Sequence, residues 1–234
     1  MSRNAQITEY GWTAVPLDPQ KWSSMGTNKP PVPHLVKDVS LPNTPVVKTA
    51  TEYVKAELPI QTIHHSMRVY HYGLAIARQH FPDWKFSDET WLLTCLFHDI
   101  GTVDRVTREV FMSFDLYGGC VALDVLRQKG APSAQAESVA EAVMRHQHPS
   151  EVGGIHAVGL LIQLATQFDN MGFHKEYVHP DTVQDVTRHY PRREWSHCFS
   201  TKLREEIGLK PWCHSTVSGE MFPYNVEHNE LMEP

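Results

Sequence analysis

The stretch TCLFHDIGTVDR, residues 94–105, puts an imidazole and a carboxylate side by side, His98 and Asp99, at the end of the apolar run WLLTCLF. Three other segments interrupt apolar patterns in the same manner. His64 and His65 precede SMRVYHYG, Arg145, His146 and His148 end AVMRHQH, and Asp169 and Asn170 follow the apolar LLIQLATQF. A buried ionised carboxylate is costly unless it is paired or bound to a metal. Intrusions from several helices are satisfied together if they converge on one ion. Mixed imidazole and carboxylate donors suit a borderline divalent cation such as zinc, iron or manganese. On a regular helix His98 and Asp99 point about 100° apart, so both reach one ion only if it lies in a crevice between helices. Taken alone, the pair has a plain alternative, because a helix-end histidine also serves as a solvated cap on its own carbonyls. For the other histidines, among them His64, His71 and His174, an ordinary surface or packing role is expected.

These residues must be carried by helices. NTPVVKTATEYVKAEL begins at a cap with Pro45 in an early helical position, and HHSMRVYHYGLAIARQHF repeats apolar residues at three- and four-residue steps. Ser87 caps DETWLLTCLFHDIG, with Gly101 as its stop. The paired glycines of SFDLYGGCVALDVLRQKG permit a close helix crossing. SAQAESVAEAVMRHQH begins at a Ser cap and ends before Pro149, and IHAVGLLIQLATQFDNMG is apolar enough to be central. HPDTVQDVTRHYP and RREWSHCFSTKLREEIG supply two more helices. Strand signals are scarce, so the expected architecture is an all-α bundle of roughly seven or eight helices, with its site between facing helices. Residues 1–45 differ: Pro16, Pro19, Pro30, Pro31, Pro33, Pro42 and Pro45 disfavour regular helices. They read as an extended Pro-rich arm, wrapped on the 46–234 helical domain through the aromatics of YGWTAVP.

Composition narrows the function. The 234 residues carry a net charge of −6 with no basic stripe, which argues against a nucleic-acid partner. No run is long enough to span a bilayer, and no basic, then apolar, leader opens the chain. The four cysteines, Cys95, Cys120, Cys198 and Cys213, fit no CxxC motif, with Cys95 and Cys120 expected as core thiols. A cytoplasmic protein with reduced cysteines is the expectation. Self-association is left open.

The set HHSMR, HDIGT, RHQ and FDN resembles the HD-domain metallohydrolase superfamily, whose ligands run His, adjacent His-Asp, then Asp on a helical core. HHSMRVYHYG, TCLFHDIGTVD, MSFDLYGG, AVMRHQ, ATQFDNMG and KPWCHST together are similar to the cyanamide hydratases of fungi, from about Tyr10 to about Ser215. The resemblance implies an HD-domain helical bundle, the metal ligands His65, His98, Asp99 and Asp169, and a zinc ion, with iron or manganese as alternatives. His65 is preferred to His64 because it directly precedes SMR. It also implies a small-molecule substrate, cyanamide, hydrated to urea by a metal-bound hydroxide. This chain departs from some members in carrying His64 where they have Asn, and in the stretch HQHPSE.

Nitrile hydration needs a nucleophile and a proton donor. Asp99 is expected to shuttle the proton of the attacking water, His146 to donate or orient, Asn170 to fix the substrate's amine, and Thr102 to hold water or substrate. The pocket is expected to be small, nearly closed and apolar-walled, with Phe97, Met112, Phe114, Tyr117 and Trp212 as walls. The nonhelical tail around Trp212 and His214 is its expected lid. A competing reading is an HD phosphohydrolase using Arg68, Arg105, Arg108 and Arg145 to hold phosphate. Another is a hydratase of a different small nitrile or isonitrile, and the last is a binding protein with a structural metal.

Overall fold

The computed structural model describes residues 1–148 and 150–229. Pro149, and the last five residues of the expected 46–234 domain, lie outside the described residues. The chain order is α1 (Arg3–Glu9), β1 (Ala14–Pro16), α2 (Pro19–Ser24), α3 (Pro45–Glu57), α4 (Ile60–His80), α5 (Asp88–Phe97), α6 (Asp104–Glu109), α7 (Phe114–Gln128), α8 (Ser133–Arg145), β2 (Gly154–His156), α9 (Ala157–Met171), α10 (Pro180–His189), α11 (Trp195–Leu209) and α12 (Met221–Glu227). The fold is all-α. Its one sheet among the described residues is the antiparallel pair β1–β2, with Val15 opposite Ile155. No helix of the described residues is long and apolar enough to cross a membrane.

Several local signals act as their chemistry dictates, although Ser133, expected as a cap, is the first residue of α8 and Pro132 precedes it without a side-chain cap bond. Thr44 accepts a hydrogen bond from the Val47 amide, and Pro45 takes the first helical position, where its missing N–H costs nothing. Ser87 caps α5 by accepting from the Thr90 amide. Gly172, at φ 71°, closes α9 in the left-handed conformation that favours glycine. α4 and α9 pack together at the centre, flanked by α5 and α8. Thirteen of the fifteen residues of α9 are buried, polar ones included. All four cysteines are free thiols. Cys95 and Cys213 are buried, whereas Cys120 is half-buried.

Three expectations differ from the structure. The Pro-rich arm is not devoid of regular elements: α1 lies before the first proline, and Pro19 is the first residue of α2 with Asp18 as its cap. The arm is wrapped on the bundle, with Val15, Leu17 and Trp22 in the main core and the Tyr10 carbonyl accepting from Ser138 Oγ. The helix carrying His98 stops before Gly101, at Phe97, with His98 as its C-cap and a short 3-10 turn at Ile100–Thr102. The tail is not irregular either. It folds into a 3-10 turn, His214–Val217, and α12.

The glycines of the crossing helices explain how tightly α7 packs. A Cβ on Gly119 would lie 2.2 Å from Met144 Cγ and 2.9 Å from the Ala140 oxygen. A Cβ on Gly101 would lie 2.0 Å from the Phe114 carbonyl oxygen, a backbone atom that cannot swing aside. Gly101→Ala is therefore expected to destabilise the fold by about 1–3 kcal/mol, the usual cost of overpacking, measurable by urea denaturation of wild type and variant.

Candidate metal centre

His65, His98 and Asp99 each offer one ligand atom, and these atoms lie within 4.8 Å of one another. Asp99 Oδ2 is 3.3 Å from His98 Nε2 and 3.7 Å from His65 Nε2. All three residues are buried, from α4 and from the end of α5. The pair is not on a regular helix, contrary to the 100° expectation. His98 is the last residue in helical conformation, and Asp99, at φ −104° and ψ 14°, turns out of the helix so that both side chains face one point.

Each histidine is oriented by an acceptor at its Nδ1. A carbonyl only accepts, so His98 Nδ1 must donate to the Cys95 oxygen at 2.8 Å, which fixes the ring with Nε2 turned toward Asp99. His146, the C-cap of α8, repeats the device: Nδ1 donates to the Val143 oxygen at 2.7 Å, and Nε2 lies 3.8 Å from Asp99 Oδ1. His65 Nδ1 donates to Asp169 Oδ2 at 2.6 Å, and its ring stacks on Trp195. Among the described residues, His65 Nε2, His98 Nε2 and both oxygens of Asp99 are buried without a hydrogen-bond partner. Buried polar groups left unpaired are costly. Four of them converging, all nitrogen or oxygen donors, fit a divalent metal ion.

Burial alone would lower the His98 pKa, but the neighbouring Asp99 carboxylate raises it above the ordinary imidazole value. Burial pushes the His65 pKa down to about 4, against the opposing pull of Asp169. Burial alone would raise the Asp99 pKa, but the neighbouring His98, with help from His65 and His146, brings it down to about 2. Burial lowers the His146 pKa, and the His98 charge adds to that.

Asp169, expected as a fourth ligand, is placed on the far side of His65 and outside the trio. Its Oδ1 accepts from Arg68 Nε at 2.8 Å and Arg192 Nη1 at 3.2 Å, and its Oδ2 accepts from His65 and from Arg68 Nη2 at 2.9 Å. Both oxygens are thus occupied by protein donors. Burial would raise its pKa, yet Arg68 and Arg192 hold it far below the carboxylate range. Thr102 also differs from expectation. Its hydroxyl donates to the Asp99 carbonyl at 2.8 Å, closing the turn, and it lines a separate small crevice beside Lys202 and Glu206.

Above the trio lies a cavity of about 90 Å³ whose floor is His98, Asp99 and His146. One wall is the polar face of α9, with Gln163, Thr166 and Asn170, and Ser218 and Phe222 of the tail close part of the rim. The cavity is small, but its walls are not those expected. Phe97 stacks on Tyr53 in the core, Phe114 stands behind His146, and Met112 and Trp212 are exposed. Tyr117 does not line it either. The expected lid residues Trp212 and His214 are likewise off the cavity, and later tail residues take that place. Nor do the four arginines of the phosphate reading line it. Arg68 is bound to Asp169, Arg108 to Glu205, and Arg145 to Glu141, while Arg105 bonds Tyr117.

Residues 62–171 match the HD domain family. The chain is also 36% identical over 221 residues, 94% of its length, to cyanamide hydratase DDI2 of Saccharomyces cerevisiae, of which the match covers 96%. It is equally similar, over the same extent, to cyanamide hydratase DDI3 of that yeast. The chain belongs to the cyanamide hydratase family of HD-domain proteins. An HD domain implies a divalent metal, and the trio is where this chain has the donors for one.

Reading the sequence alone missed Arg68 and Arg192 as partners of Asp169, and Gln163 and Thr166 as cavity wall. For the wall a signal existed: Gln163, Thr166 and Asn170 are polar at helical spacing within an apolar segment. Removing the anionic acceptor behind His65 has a measurable consequence. Asp169→Asn is expected to weaken metal affinity about 10- to 100-fold, as loss of an outer partner does, by titration of the apoprotein with zinc, whereas Asp99→Asn weakens it further.

Proposed function

We propose that this protein hydrates cyanamide to urea at the trio, holding zinc between His65, His98 and Asp99, with iron or manganese as ions the same donors accept. The observation that carries this reading is a buried trio of ligand atoms, two of them, from His98 and Asp99, at the floor of a cavity sized for a few heavy atoms. Three protein ligands are one fewer than a structural zinc site supplies, which favours catalysis over a purely structural metal. The absence of arginine from the cavity lining disfavours a phosphohydrolase.

A divalent ion there supplies Lewis acidity, lowering the pKa of a water molecule from near 16 to roughly 7. Asp169 holds His65 in the Nδ1–H tautomer through the 2.6 Å bond, while Arg68 and Arg192 keep that carboxylate ionised. His146 is neutral, with Nε2 open and directed at Asp99 Oδ1. It takes the proton of the attacking water as the C–O bond forms and one C–N π bond breaks. It then returns the proton to the nitrile nitrogen. The product, an isourea, shifts one proton from oxygen to nitrogen to give urea, and no net proton is gained or lost. Asn170 has its Oδ1 committed to Trp195 Nε1 at 2.8 Å, so it meets the substrate as a donor and not as an acceptor for the amine.

Purified protein is expected to form urea from cyanamide in proportion to bound metal, to lose activity with a chelator and to regain it with zinc. Metal-loaded, folded protein that forms no urea would rule the reading out. His146→Ala is expected to lower kcat by about 10²- to 10⁴-fold, the range for a general acid–base group, with metal content unchanged by elemental analysis.

A further inference from the structure

Three polar side chains of α9 face the cavity, and each has part of its hydrogen-bonding capacity already fixed. Gln163 Nε2 donates to the Arg145 oxygen at 2.7 Å. A carbonyl cannot donate, so the amide can be oriented only one way, and Gln163 has its Oε1 left over. Thr166 Oγ1 donates its single hydrogen to the Ile162 oxygen at 2.8 Å, which leaves lone pairs only. Asn170 Oδ1 accepts from Trp195 Nε1. An indole N–H only donates, so this amide too is fixed, and its Nδ2 hydrogens are what remain. Among the described residues, neither Gln163 Oε1 nor Asn170 Nδ2 has a hydrogen-bond partner.

We propose that α9 reads the two ends of the substrate through this fixed order: acceptors at Gln163 and Thr166 for an N–H-bearing end, and a donor at Asn170 for the nitrile nitrogen. The proposal rests on the cyanamide reading and deepens it. Thr166 and Asn170 are one helical turn apart, about 6 Å of rise, so a short linear molecule lies along the helix with its ends distinguished. Cyanamide has that polarity, with two N–H donors at one end and a lone pair at the other. The order also suits the reaction. Negative charge develops on the nitrile nitrogen as water adds, and a preorganised donor there stabilises it. The acceptors keep the amine from turning toward Asn170, because a reversed molecule would leave Gln163 and Thr166 unpaired, and sites built to bond a polar group discriminate strongly against losing it. The substrate class is therefore a small nitrile whose carbon bears an N–H group.

The test is steady-state urea formation by zinc-loaded wild type and three variants, with metal content and Tm on each. Thr166→Val keeps shape and removes the acceptor, and Gln163→Met does the same with loss of the bond to Arg145. Each is expected to raise KM for cyanamide about tenfold and to leave kcat within about threefold, the loss of one hydrogen bond. Asn170→Asp keeps the bond to Trp195 and replaces the donor with an acceptor. It is expected to lower kcat about 100-fold or more, with KM little changed. A purely packing role for these residues would lower Tm without this split between KM and kcat. Urea formation by wild type, Thr166→Val and Asn170→Asp at similar kcat/KM overturns the polarity of the wall alone. No urea from zinc-loaded wild type overturns the cyanamide reading, and this inference with it.

Discussion

The fold turns on one buried charge. Asp169 is fully enclosed, and a carboxylate in that position is tolerable only with its partners in place. Those partners come from across the chain: Arg68 and His65 on α4, and Arg192 just before α11. Even its backbone is held, with the Asp169 carbonyl accepting from Arg192 Nη1 and from the Asn229 side-chain amide. One negative group thus ties the two central helices to α11 and to the end of the described tail. Removing any one partner would strand the others as uncompensated buried charge. The orientation of His65 is a by-product of the same network.

A second constraint lies at the ends of two helices. The last carbonyls of a helix lack intrahelical donors, and α5 and α8 both end on a histidine whose Nδ1–H satisfies one of them. The helix is capped, and the ring is locked with Nε2 outward. The candidate metal centre and its proposed acid–base residue are therefore built from ordinary capping chemistry. It is the apolar helices ending there that bring the caps together.

Much of this was legible in residue order. Pro45 and Ser87 mark helix starts by local rules, and the glycine pair in α7 marks a close crossing. His98 and Asp99 stood out because they end an apolar run. What was not legible depends on which groups are already occupied. Asp169 reads as a ligand because it is a carboxylate in an apolar helix, and only the surrounding arginines show that its oxygens are taken. Asn170 reads as both acceptor and donor until Trp195, 25 residues away, takes its oxygen. Aromatic residues near the motifs read as cavity walls by type, yet the core claims Phe97 and solvent meets Trp212. Gln163 and Thr166 were masked by the hydropathy of their own helix.

Asp169 and Asn170 are neighbours on α9, and they serve different neighbourhoods: one holds His65, the other faces the cavity. Because a rigid helix joins them, a rotation or shift of α9 that refashions the cavity also displaces the carboxylate behind His65. A change of cavity shape is thereby least tolerated at its most polar wall. The surfaces free to vary are those that meet the cavity without touching the charge network, such as Ser218 and Phe222 of the tail. The cavity is therefore least constrained at its C-terminal rim and most constrained at its centre.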